Sequence, residues 1–324
     1  MIPKRIAITS GDTDGIGPEV TAKALSQIRP RKGVQLCLWR SSFFPNKYLR
    51  MIDRRFVRHT VTNWDQARHL ATSAPNLLID VESPLPPPRW VETMGRAGAR
   101  GEIAGLVTAP LSKEGIFASG IRDKGHTEIL KRTTKTPHVF MTFLGKKFNV
   151  VLLTGHVSLK KAYAQIEQPL LETCITKTVE ATSFLPPARA RRPIALVGCN
   201  PHAGENGVID NKENLVYKSA MAKFKRKKVE ISGPLVPDVC FRQKFWSQYS
   251  FYIASTHDQG LIPFKMIHHD FGGVQLSLGL PFVRTSVDHG TAKDIFNKNR
   301  ARETSMVNAL NVAIKLIESK PIKW

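Results

Sequence analysis

The segment Ser255 to Ala292 sets His257, Asp258, Lys265, Arg284, Asp288 and His289 among runs that are apolar and glycine-rich. Polar groups at the ends of buried strands must be hydrogen-bonded or charge-paired, or they cost stability. A core has no need of such a cluster, whereas a site for an anionic ligand and a metal does. Three further islands share this character: Gly125-His126-Thr127-Glu128, Thr154-Gly155-His156, and Cys199-Asn200-Pro201-His202-Ala203-Gly204-Glu205. In each, a histidine lies at or near the end of a strand-like run or just past a turn. Neutral imidazole is a common metal ligand, and the carboxyl ends of strands are where open α/β sheets bind ligands. A single loop histidine is more often structural. It is their recurrence that carries weight.

The elements that must position these residues alternate between strand-like and helix-like runs, the pattern of an α/β protein with a largely parallel sheet. Strands are expected at Ile6–Thr9, Val34–Trp39, Asn76–Asp80, Ile103–Thr108, Val139–Leu144, Phe148–Leu153, Ile194–Gly198, Phe251–Ala254 and Val274–Leu278. Ser10 to Glu19 reads as a tight strand-to-helix turn into a helix over Val20–Ile28. It looks like a phosphate cradle but lacks the GxGxxG and Walker spacings. Pro84-Leu85-Pro86-Pro87-Pro88 reads as a stiff extended connector. Met306, Val307, Leu310, Ile314 and Ile317 recur at helical spacing and predict a core-facing helix.

A chain of 324 residues suits two packed domains. Cys37, Cys174, Cys199 and Cys240 are widely separated, which argues against a zinc ribbon or disulfide scaffold and for a reducing cytoplasm. The N-terminus runs directly into a strand, leaving no room for a signal peptide, and no apolar stretch reaches membrane-spanning length. The net charge of +22 permits nucleic-acid or anionic-membrane binding. Its clusters, 189–192 and 223–228, come without a recognition module. They are expected to be solvated surface that steers phosphorylated substrates, with neither membrane nor nucleic acid as partner.

Taken together, the islands resemble the 4-hydroxythreonine-4-phosphate dehydrogenase family of vitamin B6 biosynthesis. The match runs in order through Thr9-Ser10-Gly11-Asp12, Gly15-Ile16-Gly17-Pro18-Glu19, Thr108-Ala109-Pro110 with Lys113, and Gly125-His126-Thr127-Glu128. It continues through Asn200 to Glu205, Gly233-Pro234-Leu235, His257-Asp258-Gln259-Gly260-Leu261, Leu278 to Phe282, and Arg284 to Ala292. The resemblance implies a homodimer of two-domain α/β/α subunits with the isocitrate/isopropylmalate-dehydrogenase-like fold. The active site then lies in an interdomain cleft and is shared between subunits. We expect a first domain of residues 1–123 plus 285–324 and a second of residues 124–284. The resemblance also implies NAD- or NADP-dependent oxidation of 4-phosphooxy-L-threonine, then decarboxylation to 3-amino-2-oxopropyl phosphate. It assigns one divalent metal (zinc, magnesium or cobalt) to His156, His202 and His257. Substrate contacts fall to His126, Thr127, Lys265, Gln275 and Arg284.

The chemistry asks for the same residue types. Three neutral imidazoles leave a cation's charge intact and its other positions open. Arg284 offers a phosphate a planar fork and Lys265 a point charge. Oxidation needs a base, for which Asp258, Asp238 and Lys113 are candidates. Asp258 could equally orient a ligating histidine, and Asp238 could cap a helix ahead of Val239. Asp288, His289 and Gly290, before an expected helix start at Thr291, form a candidate cofactor site.

Two departures from the family pattern stand out. Gln275 replaces an asparagine, keeping the amide but moving it by one methylene. Phe296-Asn297-Lys298-Asn299-Arg300 replaces small residues and glycines, which implies lost backbone freedom. The runner-up reading is a paralogous dehydrogenase of threonate or erythronate 4-phosphate. A remoter one is a nucleic-acid-binding protein on a decayed enzyme fold.

Overall fold

The computed structural model describes residues 3–70 and 74–324. The chain forms two compact units, one of Met1–Val139 with Leu280–Ser319 and the other of Phe140–Gly279 with Lys320–Trp324. The division expected from sequence puts its boundaries at 123/124 and 284/285. In the structure His126, Thr127 and Arg284 all belong to the first unit.

The first unit opens with β1 (Lys4–Thr9), α1 (Gly17–Gln27), β2 (Val34–Arg40), α2 (Asn46–Asp53), β3 (Val57–Val61), α3 (Trp64–His69) and β4 (Leu77–Glu82). It continues with α4 (Pro87–Ala99), β5 (Gly105–Thr108), α5 (Lys113–Ala118) and α6 (His126–Thr134). The second unit holds β6 (Phe140–Leu144), β7 (Val150–Leu152), α7 (Leu159–Gln165), α8 (Gln168–Thr182), α9 (Pro187–Ala190) and β8 (Ile194–Val197). There follow α10 (Asn211–Arg226), β9 (Ile231–Leu235), α11 (Pro237–Cys240), β10 (Tyr252–Ala254), α12 (His257–His268) and β11 (Val274–Leu278). The chain then returns to the first unit with β12 (Val283–Val287) and α13 (Thr304–Ile317).

The strands of the first unit lie in the order β3-β4-β2-β1-β5-β12, all parallel. Strands β1, β2 and β5 are buried along most or all of their length, as parallel strands covered on both faces must be. Trp39, Trp90, Met94 and Leu106 are among the residues filling one side. In the second unit the order is β11-β6-β7-β10-β8-β9. There β6 runs antiparallel to both neighbours, and β7, β10, β8 and β9 are parallel. Phe148 centres an aromatic cluster with Trp246, Tyr252 and Phe264 at ring-centroid distances of 5.6, 5.6 and 5.9 Å.

The expected strands are present, some shortened by one to three residues, and three more appear. Strand β3 is an exposed edge with polar residues at its centre. Strand β9, with Gly233 and Pro234 inside it, is the opposite kind of edge. Strand β12 carries Arg284, Thr285 and Ser286 in its middle and so lacks an apolar run. The proline connector is shorter than expected, because Pro87 and Pro88 form the first turn of α4, where a missing N–H is harmless. The helix expected from Thr291 is absent. Ala292, Asn297 and Asn299 have φ of 41°, 59° and 55°, so the chain makes only a short turn at Lys293–Ile295. The two asparagines thus supply left-handed backbone that glycines would otherwise provide.

Candidate functional site

In the first unit the polar residues gather along β12 and at the ends of β1 and β5. Arg284 is 3% exposed and donates from Nη2 to Thr108 Oγ1 at 2.6 Å. Thr108 Oγ1 also lies 2.9 Å from Ser286 Oγ, which donates to the Thr108 carbonyl at 2.9 Å. Burial pulls the Arg284 guanidinium down to about 9, and Glu128 opposes that pull. It therefore stays cationic at neutral pH.

His126, the first residue of α6, sits beside it. Burial first, and then the Arg284 charge, hold its imidazole well below the usual 6.5, against a hydrogen bond to the Ala109 backbone. Its Nε2 is buried and has no partner among the described residues. A buried ring nitrogen of this kind costs free energy until something bonds to it. A neutral imidazole beside a buried guanidinium is an arrangement a phosphorylated ligand would complete. Thr127 follows in the same helical turn, half-buried.

The loop after β1 is tight, as expected. Gly11 has φ of 74°, and a Cβ there would collide with the Pro110 carbonyl, as one at Gly17 would with the Ser10 carbonyl. Asp12 is 5% exposed and accepts from Ser112 N at 2.7 Å. It thereby ties this loop to the start of α5, whose first residue is the exposed Lys113. Burial raises the Asp12 carboxyl, and the Ser112 hydrogen bonds oppose the rise. Glu19 is inward and structural, accepting from Lys23 at 2.7 Å, from the Ala301 N–H at 2.8 Å and from Tyr48 at 3.3 Å. Beyond β12, the Thr291 carbonyl accepts from Ile16 N at 2.9 Å. His289 is half-buried, with Nδ1 3.0 Å from the Gly290 carbonyl, and its Nε2 is a second buried nitrogen with no partner among the described residues. A Cβ on Gly290 would meet open space.

In the second unit three histidines follow β7, β8 and β10, His156 and His202 on loops and His257 as the first residue of α12. His156 and His257 come together, with ring centroids 4.9 Å apart. His257 Nδ1 lies 2.7 Å from Asp258 Oδ1. That contact favours a proton on Nδ1 and leaves Nε2 as the ligating nitrogen, the arrangement of a carboxylate that orients a metal ligand. His202 is exposed and lies apart from this pair. Among the described residues no group of three or more histidine, cysteine or acidic side chains is placed to hold a metal. One chain therefore offers two fitting imidazoles, and the expected third does not join them.

His202 sits in an unusual turn. Residues His202, Ala203, Gly204, Glu205 and Asn206 have φ of 51°, 55°, 73°, 45° and 55°. Each left-handed residue other than glycine costs roughly 1–2 kcal/mol, so other contacts must hold this turn. Lys265 is exposed, two helical turns beyond His257 on α12. Asp238 is exposed in the first turn of α11, where Val236 occupies the N-cap position and no side chain caps the helix; the capping reading is set aside. Gln275 is 7% exposed, with Nε2 3.3 Å from Ser277 Oγ on its own strand.

The structure thus unites Arg284 with His126, and His156 with His257 and Asp258. Sequence reasoning gave no role to Thr108, Ser286 or Asp12, nor to Glu213. The signal for Glu213 was its place three residues after the helix-capping Asp210.

A model of the family described as "Pyridoxal phosphate biosynthetic protein PdxA" matches residues 89–313. D-threonate 4-phosphate dehydrogenase of Salmonella typhimurium is 33% identical across 98% of this chain and 100% of its own length. The chain belongs to the PdxA family. The 4-hydroxythreonine-4-phosphate dehydrogenase of Aquifex aeolicus is also 33% identical, over 97% of this chain and 99% of that protein. A crystal structure of the 4-hydroxythreonine-4-phosphate dehydrogenase from Klebsiella pneumoniae superposes with a TM-score of 0.75. It is 30% identical and covers 97% of this chain and 98% of that one. A β-decarboxylating dehydrogenase from Thermococcus kodakarensis is 11% identical with a TM-score of 0.54, covering 98% of this chain and 84% of that one. It shares the fold alone. The PdxA family, with relatives named as dehydrogenases, is the one the sequence motifs indicated.

Proposed function

We propose that this PdxA-family chain oxidises the C3 hydroxyl of 4-phosphooxy-L-threonine with NAD or NADP, and that the β-keto acid then loses CO2 to give 3-amino-2-oxopropyl phosphate. The observation that carries this reading is the buried Arg284 guanidinium beside a neutral His126 whose Nε2 has no partner among the described residues. Arg284 binds the phosphate as a planar donor, His126 Nε2 accepts a hydrogen bond from the substrate, and Thr127, Lys265 and Gln275 are further substrate contacts. Asp288, His289 and Gly290 receive the cofactor, in keeping with the open space at Gly290.

His156 and His257 supply two ligands to a divalent cation (zinc, magnesium or cobalt), and His202 supplies the third. Such a cation, when bound, lowers the pKa of the substrate hydroxyl and stabilises the enolate left by decarboxylation. Asp258 orients His257; Lys113 and Asp238 remain the candidates for the proton acceptor.

His202 reaches the pair from a second copy of the chain in a homodimer. This part of the reading draws on the outward apolar residues of the second unit. Ile262 and Met266 are one turn apart on α12 and 59% and 76% exposed, and Val208, close to His202, is 83% exposed. A subunit contact at this face would cover them. We place the enzyme in the cytoplasm, in keeping with four cysteines that are all free thiols. No described helix is long and apolar enough to cross a membrane.

A second reading, oxidation of D-threonate 4-phosphate, is favoured by the 33% identity to the Salmonella typhimurium enzyme. The substrates differ at C2, amine against hydroxyl. The test is mass-spectrometric detection of 3-amino-2-oxopropyl phosphate, with CO2 release, from 4-phosphooxy-L-threonine, NAD(P) and the metal-supplemented protein. Release of CO2 only from D-threonate 4-phosphate would move the assignment to the second reading.

A further inference from the structure

We infer that Glu213, which has no part in the chemistry above, is a positioning residue that holds the left-handed turn bearing His202. Glu213 is the third residue of α10 and is completely buried. A glutamate at that position ordinarily folds back onto its own helix end. Here it reaches out to a different segment. It accepts from the Cys199 N–H through Oε1, and through Oε2 from Asn200 N at 3.0 Å and Asn200 Nδ2 at 2.7 Å. No ion pair to it is found among the described residues. Its charge is met by these N–H groups and by the positive end of α10.

The turn is wrapped tightly around this carboxylate. A Cβ on Gly198 would lie 2.7 Å from Ala203 Cα, and one on Gly204 would lie 3.1 Å from the Asp210 carbonyl. Asp210 extends the network, accepting from Asn200 Nδ2 at 2.8 Å and from the Tyr163 hydroxyl at 2.5 Å. Gln259, two residues beyond His257, donates to the Gly198 carbonyl at 2.6 Å and accepts from Ser255 N at 2.7 Å. The segments that follow β7, β8 and β10 are thus linked through Tyr163 of α7, Asp210, Asn200, Glu213 and Gln259 of α12. A buried carboxylate spent on two consecutive amides fits a backbone that L residues would otherwise leave.

Two measurements test this, and the second rests on the metal reading above. In hydrogen–deuterium exchange of the full chain, Glu213→Gln should lose protection at residues 199–207 while β8 and α10 keep theirs. The amide of glutamine offers one acceptor oxygen where the carboxylate offers two. Cobalt(II) titration should then show Glu213→Gln weakening binding by about 10–100-fold, the usual effect of disturbing a ligand's support. Added to His202→Ala it should weaken binding no further. If Glu213→Gln does not fold, Asn200→Ala, which removes one donor, takes its place in both arms. Unchanged exchange over 199–207 overturns the inference. So does a cobalt loss that is additive with His202→Ala, which is the mark of a merely structural role. If His202→Ala leaves cobalt affinity unchanged, the metal reading fails by itself and the exchange arm alone decides on Glu213.

Discussion

The two units solve the same problem in opposite ways. In the first, charged and polar groups sit on regular elements: Arg284 and Ser286 on β12 and Thr108 on β5 are buried, and His126 on α6 is half-buried. The same unit buries a second charge cluster at the ends of β2 and β4. Asp80, 0% exposed, accepts from Arg40 at 2.8 and 2.9 Å and from Arg58 at 2.7 Å. In the second unit His156 and His202 stand on loops and His257 opens α12, and the backbone around them is shaped by side-chain hydrogen bonds to main-chain amides. Strand-borne groups are fixed by the core, so removing them should cost stability. Loop-borne groups are fixed by local networks, so removing them should cost ligand binding and little else.

The largest effect expected is at Asp80. Asp80→Ala leaves Arg40 buried beside an empty acceptor site, and breaking a buried pair costs about 3–5 kcal/mol. Urea unfolding monitored by the fluorescence of Trp39 and Trp64 would register it; a loss under 1 kcal/mol would remove the contrast at its strongest point. Next comes Arg284→Lys, which keeps the charge and loses the fork. It should lower kcat/KM by the equivalent of about 1.5–3 kcal/mol, the range for a charged hydrogen bond. A wild-type value would take Arg284 out of the substrate site.

A smaller effect follows from His126. Its folded value lies below the ordinary 6.5, so in the window beneath that pH the unfolded chain binds more protons than the folded one. Stability should therefore be complete above 6.5 and fall as pH drops toward the folded value. The stability profile of His126→Gln should be flatter there, and an equally steep acid loss would show that His126 is not responsible. Smallest is the stability cost of His257→Ala, expected within about 0.5 kcal/mol although bound divalent metal, measured by elemental analysis, should fall sharply. A large drop in unfolding midpoint with metal retained would reverse the comparison for the second unit.

The same contrast governs what could be read from the residues. Apolar runs such as Ile6–Thr9 and Ile194–Gly198 announce strands because burial on both faces demands them. β12 escaped notice because its centre is occupied by the polar groups of the site. His257 with Asp258 was visible as neighbours in sequence, and their contact is local. The pairing of Arg284 with His126 joins positions 158 residues apart (284 − 126), and only the resemblance to a known family linked them beforehand. The turn at His202 was unreadable for another reason. Left-handed φ at histidine, alanine and glutamate runs against their intrinsic preferences, and Glu213 enforces it from a helix 11 residues away (213 − 202).

The most direct test of the whole account is the initial rate of NAD and NADP reduction by the purified full chain with zinc, magnesium or cobalt, on 4-phosphooxy-L-threonine and D-threonate 4-phosphate side by side. The account predicts reduction of the nicotinamide with both the metal and the substrate's phosphate required, and a higher kcat/KM for 4-phosphooxy-L-threonine. Reduction of neither cofactor with either substrate under any of the three metals would contradict it.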